Sequence, residues 1–139
     1  MFHQKNEFMK VFKLITIALL MAIPSIVSGQ SEQLPSEVTT ALKKGDVAQL
    51  SNYFNATIEL TILDKSGVYG KQQAATTIAG FFSENTVMDF QQKHEGNKET
   101  TSFVIGNLIT KKGVFRVYLH LNTTGRQSII QQLRIESND

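Results

Sequence analysis

Cysteine is absent from this sequence. That excludes disulfide staples, thiol nucleophiles and thiolate-held metal, and leaves stability to a packed core. Proline is confined to Pro24 and Pro35. Paired metal-ligand spacing is missing as well. The histidines are His3, His94 and His120, with nothing like H-E-x-x-H. Gly67-Val68-Tyr69-Gly70-Lys71 is no phosphate loop, because its glycines stand too close and Gln72 replaces the needed Ser or Thr. There is no G-x-S-x-G nucleophile elbow, no internal repeat and no low-complexity tract. No cofactor and no metal are expected.

What is present begins with an export signal. Lys10 and Lys13 precede a nearly all-apolar run over residues 14–23, Pro24 breaks it, and Val27-Ser28-Gly29 offers a small-residue cleavage site before Gln30. Charge, apolar run, breaker and small residues in that order make a secretory signal peptide over residues 1–29. A membrane-spanning helix needs roughly 20 apolar residues, and this run is shorter. No cysteine follows it for lipid attachment, and Met9 is an alternative start. The expected address is periplasmic or secreted, with no membrane span after cleavage.

Cleavage leaves residues 30–139, a length suited to one domain. The chain has 14 Lys and Arg against 12 Asp and Glu. Lys5, Lys10, Lys13 and Glu7 leave with the signal, so eleven of each sign remain. A neutral domain gives no electrostatic case for nucleic acid.

Residue periodicity then supplies the elements. Pro35 suits a first helical turn. Val38, Ala41 and Leu42 recur at helical spacing, and Lys43-Lys44-Gly45 closes that helix with a C-cap glycine. Asp46 caps a second helix with Val47, Leu50, Tyr53 and Phe54 on one face. Ile58-Glu59-Leu60-Thr61-Ile62 alternates as a strand, Asp64-Lys65-Ser66-Gly67 signals a turn, and Val68-Tyr69 starts a return strand. A helix runs from Lys71 to about Phe82, with Ala74, Ala75, Ile78, Phe81 and Phe82 as its apolar stripe. Strands follow over residues 87–94, 103–110, 114–122 and 128–135. Their turns are expected at Gly96-Asn97, Lys111-Lys112-Gly113 and Thr123-Thr124-Gly125. Hairpin-length loops predict an antiparallel meander, and helices before strands predict an α+β fold.

Parity assigns the faces. Phe115, Val117, Leu119 and Leu121 form a wholly apolar row that must meet the helices. Ile129, Leu133 and Ile135, with Gln131, share the apolar face of the last strand, and Ile130, Gln132 and Arg134 take the other. Met88, Phe90, Gln92 and His94 share a face. The opposite side of the sheet is mixed, with Tyr118 and Ile130 among charged and amide groups. Such a face suits an interface as well as it suits solvent.

The element order resembles the NTF2-like, cystatin-like cone, and the stretch from Ala41 through Gly45-Asp46 to Tyr53-Phe54 resembles that superfamily's opening helices. Tyr69-Gly70-Lys71-Gln72-Gln73-Ala74, Phe81-Phe82, His94-Glu95-Gly96, Ile105-Gly106-Asn107-Leu108, Phe115-Arg116-Val117-Tyr118 and Gln131-Gln132-Leu133-Arg134-Ile135-Glu136 extend the likeness. In that joint order they resemble a family of small exported Bacteroidetes proteins, domain of unknown function 4783. The resemblance implies an NTF2-like cone, with N-terminal helices packed on a curved antiparallel sheet, and an exported address. It implies no chemistry.

No acid stands on the helix-facing rows, so no catalytic residue is assigned. His94 is the one titratable group there, with a hydrogen-bonded turn histidine as the plainer reading. Tyr69 could turn its hydroxyl into the cone mouth, or simply pack its ring. Arg116, Tyr118 and Gln132, with Arg134, could hold an anionic or peptide ligand on the open face, or form a polar ladder or a homodimer seam. The expected function is a non-catalytic module binding an unknown small molecule or protein, with a possible homodimer through the sheet. The alternative is a small isomerase- or dehydratase-type enzyme using His94 or Tyr69. N-terminal sequencing of the exported protein is expected to begin at Gln30; a start well away from Gln30 would refute the cleavage site.

Overall fold

The structure is a computed structural model and describes residues 34–139. The expected signal over residues 1–29 lies outside the described residues. Three helices and six strands follow in the order α1 (Ser36–Lys44), α2 (Val47–Ser51), β1 (Phe54–Ile62), β2 (Lys65–Gly70), α3 (Lys71–Glu84), β3 (Val87–Lys98), β4 (Thr101–Thr110), β5 (Gly113–Thr124) and β6 (Gln127–Ser137).

Local chemistry sets the helix ends. Gly45 takes the left-handed conformation (φ 63°), and the last-turn carbonyls of Ala41 and Leu42 accept from the N–H groups that follow. That is the C-cap geometry glycine tolerates without a Cβ penalty. The Asp46 carboxylate accepts from the Gln49 N–H at 3.1 Å and so starts α2. This helix ends at Ser51, two residues before the Tyr53 and Phe54 expected on its face. The sheet claims them: the Tyr53 carbonyl accepts from the Ile130 N–H at 2.7 Å, and Phe54 opens β1.

The sheet order is β2-β1-β6-β5-β4-β3. All neighbouring strands are antiparallel except β1 and β6, which run parallel. The expected all-antiparallel sheet is therefore mixed. The β1–β2 hairpin forms first in the chain, α3 crosses to the far edge, and the meander returns until β6 lies against β1. No local turn signal encodes that last pairing.

One face carries the core. Ile58, Leu60, Leu108, Val117, Leu119, Leu121, Ile130, Leu133 and Ile135 are all buried, with Phe90 2% exposed. Val38, Ala41 and Leu42 from α1, Leu50 from α2, and Ala74, Ile78, Phe81 and Phe82 from α3 cover them, as the helical stripes predict. Phe81 meets Phe115 edge-on at 5.1 Å between centroids, an arrangement aromatic quadrupoles favour.

Bulges re-phase the sheet, and here the parity reading is corrected. In β6 the pairing steps from His120–Gln132 to Leu121–Ile130, which leaves Gln131 as an extra residue. Ile130 therefore joins Leu121 in the core, fully buried, and Ile129 opposes Asn122 instead. In β3, Met88 is extra and turns out to 63% exposure. A second extra residue, Lys93, moves His94 opposite Ile105, away from the helices.

Two turns are also corrected. The β3–β4 turn falls at Glu99-Thr100, with Glu99 at φ 56°, and Gly96-Asn97 stays inside β3. The first hairpin turns at Leu63-Asp64, so Lys65, Ser66 and Gly67 are already strand.

At Gly106 a Cβ would come within 2.5 Å of the Phe90 Cζ and 2.6 Å of the Gln91 carbonyl oxygen. The ring is buried and the carbonyl is backbone, so neither gives way easily. Gly106→Ala is expected to lower the denaturation midpoint, at a cost of about 3 kcal/mol with an unchanged m-value. An unaltered midpoint in urea unfolding would contradict this packing.

Candidate functional site

The face of the sheet turned away from the helices is built from three cross-strand rows. Glu59, Gln132, His120, Phe103 and Gly96 stand side by side from β1 to β3. Thr61, Arg134, Tyr118, Ile105 and His94 form the next row. Glu136, Arg116, Asn107 and Gln91 form the third. Thus the structure brings Arg116, Tyr118, Gln132 and Arg134 together on one face, as the sequence predicts. His94 joins them, exposed, because the bulge at Lys93 turns it out. The expectation that it lies on a helix-facing row is wrong for that reason.

An aromatic pair occupies the middle of this face. Phe103 and Tyr118 are diagonal neighbours on adjacent strands, stacked with centroids 6.3 Å apart and planes at 20°. The Phe103 ring lies over Gly96, where an added Cβ would come within 2.4 Å of Cε1. Glycine in an otherwise pleated strand thus gives the ring a seat. Phe103 remains 37% exposed and Val114, four residues before Tyr118 on the same strand face, 41%. Around them the charges are mixed. The Arg134 guanidinium pairs with the Glu136 carboxylate along the same strand. Both side chains are well exposed, so this pair contributes at most about 1 kcal/mol.

Tyr69 lies elsewhere. It pairs with the buried Ile58 and so faces the helices, its ring packed against the core. It lines a cavity of about 380 Å³ between α3 and the first hairpin. Sequence parity also missed a carboxylate. Beyond the bulge Glu95 stands opposite the buried Val104, on the helix side, where its Oε2 accepts from the Gln92 amide at 2.9 Å. It is exposed there.

A third group was not anticipated. A cavity of about 430 Å³ lies between the start of α1, the α2–β1 junction and the β5–β6 turn, with Glu37, Tyr53 and Arg126 in its lining. The Tyr53 phenol is pushed above its ordinary value of 10.0 by burial first, then by the Glu37 charge and the hydrogen bond to that carboxylate. Among the described residues no group of three or more His, Asp or Glu is placed to hold a metal ion, and no helix is long and apolar enough to cross a membrane.

The family model described as domain of unknown function (DUF4783) matches residues 35–136. A DUF4783 family protein from Bacteroides ovatus is 36% identical, with a TM-score of 0.73 over 77% of this chain and 97% of that one. Another from Bacteroides fragilis is also 36% identical, at 0.71 over 76% and 99%. An NTF2-like family protein from Streptomyces avermitilis matches at 0.52 with 10% identity, over 73% and 90%, a likeness of fold alone. No curated protein matches the chain.

The raised Tyr53 value fixes the sign of one pH effect. The folded state holds that proton more tightly than the unfolded chain, so its contribution is complete below pH 10 and is lost as pH rises through the folded value. Unfolding free energy is expected to fall with pH in the alkaline range, and less steeply in Tyr53→Phe; identical slopes would refute the raised Tyr53 value.

Proposed function

The chain belongs to the DUF4783 family, and we propose that it serves as an exported, non-catalytic binding module whose open sheet face is its contact surface. The observation that carries this reading is the Phe103–Tyr118 stack on a face that no helix covers among the described residues. Exposed aromatic and aliphatic groups inside a polar surround are the composition of an interface centre with its rim. The partner the face fits is a second copy of the chain. A two-fold contact must be self-complementary, and this face presents Arg116 and Arg134 together with Glu59 and Glu136. Two copies laid face to face bring opposite charges within reach around a shared aromatic centre.

The enzymatic alternative has less to stand on. His94 is exposed on the open face, and neither described cavity has it in its lining. Tyr69 reaches a cavity, but among the described residues its lining holds no histidine, the side chain most often used for general acid–base chemistry.

Sedimentation equilibrium of the exported protein tests the reading. The protein is expected to self-associate, and Phe103→Ala combined with Tyr118→Ala to weaken that association at least tenfold, about 1.4 kcal/mol. A protein that remains monomeric at every concentration would overturn it.

A further inference from the structure

The cavity beside Tyr69 has a construction that core packing does not explain. Thr77, Gly80, Phe81 and Glu84 line it from α3, at the spacing of one helix face. Leu60 and Ile62 line it from β1, Asp64 from the hairpin turn and Lys65 from the start of β2. Its volume, about 380 Å³, is that of a small-ligand pocket.

Gly80 is the telling position. It sits inside a fourteen-residue helix, and a Cβ added there would meet no atom within 4 Å. No close approach and no special backbone angle calls for glycine. Glycine in a helix interior costs about 1 kcal/mol against alanine, and a larger side chain would fill the space now open. The same helix fills its core-facing positions with Ile78, Phe81 and Phe82. Gly80 and Thr77 are exposed, so this open space is the mouth of the cavity, on the wall facing the hairpin.

Tyr69 is fixed from behind. Its ring lies over Gly67, where a Cβ would come within 3.1 Å of Cε2. Its hydroxyl makes no hydrogen bond among the described residues. Leu60, Ile62 and Phe81 supply the apolar lining, while Asp64 and Glu84 outnumber Lys65 among its charges, and none of the three is ion-paired among the described residues.

We propose that this cavity binds a small organic amine, its apolar body against Leu60, Ile62 and Phe81 and its ammonium group toward the Asp64 and Glu84 carboxylates and the Tyr69 ring. The aromatic wall and the excess of acid favour a cation over an anion of the same shape. The site is on the helix side of the sheet and does not depend on the open face.

The test is a titration followed by NMR amide shifts, with phenethylamine, phenylacetate and phenylethanol as probes at neutral pH. Phenethylamine is expected to bind saturably and at least tenfold more tightly than phenylacetate, with shifts centred on Leu63, Lys65 and Gly80. Asp64→Asn with Glu84→Gln should reduce amine binding toward that of phenylethanol. Gly80→Leu should abolish binding of all three probes, and Gly80→Ala should raise Tm, as expected if packing does not require the glycine. Equal binding of amine and carboxylate, shifts centred elsewhere, or no saturable binding would each overturn the proposal. If Gly80→Leu fails to fold, the carboxylate variant decides by itself.

Discussion

Every strand of this sheet must keep an apolar row against three short helices that cover one side only. That constraint governs the rest of the structure. Leu50 and Ile78 from the helices meet Leu60, Leu119 and Leu133 from the sheet, all essentially without solvent contact. With no disulfide available, this layer must supply the stability itself. The strands meet the demand even where their sequences lose step. An extra residue at Gln131 lets Ile130 enter the core beside Leu121, and extra residues at Met88 and Lys93 keep Val87 and Phe90 inward while β3 twists away at the edge. A bulged edge strand also offers a poor template for further pairing.

The same devices set the limit on what could be read in advance. Helical stripes were legible because burial there depends on spacing within one segment: Val38, Ala41, Leu42, Ala74, Ile78, Phe81 and Phe82 all fall where the pattern puts them. The β5 row from Phe115 to Leu121 was legible for the same reason, since no bulge interrupts it. Parity failed at Ile130 and His94, each lying beyond an inserted residue that its own strand does not mark. The parallel β1–β6 pairing was hidden more deeply. It joins the first strand of the chain to the last, and depends on where α3 carries the chain, which no hairpin signal describes. Family and cone architecture survived these errors because they rest on element order, which the bulges leave intact. Of the site, Arg116, Tyr118 and Gln132 were placed by parity, while the Tyr53–Glu37 pair needed the closing of the sheet onto α1 to exist at all.

Glycine explains the remaining misreading and ties the two faces together. Gly96 looks like a turn residue beside Asn97, yet it is a seat for the Phe103 ring; Gly67 does the same for Tyr69, and Gly106 for Phe90. In each case an aromatic side chain replaces the missing Cβ contacts of a neighbouring strand position. The cost of glycine in a strand is offset by the area the ring covers. The device works inside the core at Phe90, at the cavity wall at Tyr69, and on the open face at Phe103. It gives each ring a fixed orientation, which lowers the entropy lost when a ring later meets a ligand or another surface.

Charge argues in the same direction. Residues 30–139 hold equal numbers of acidic and basic residues, so net charge gives no long-range steering toward a partner of either sign. Recognition then has to come from short-range contact, and short-range contact needs rings and apolar walls held in place beforehand. The aromatic-on-glycine seats at Phe103 and Tyr69 meet that need at two separate surfaces. They also differ in a useful way. The open face presents both charge signs around its ring, as a self-complementary surface requires, whereas the cavity beside α3 gathers more acid than base around its own. Two surfaces built with one device but different charge balance match the two partners proposed above, a second copy of the chain on one side and a small cation on the other.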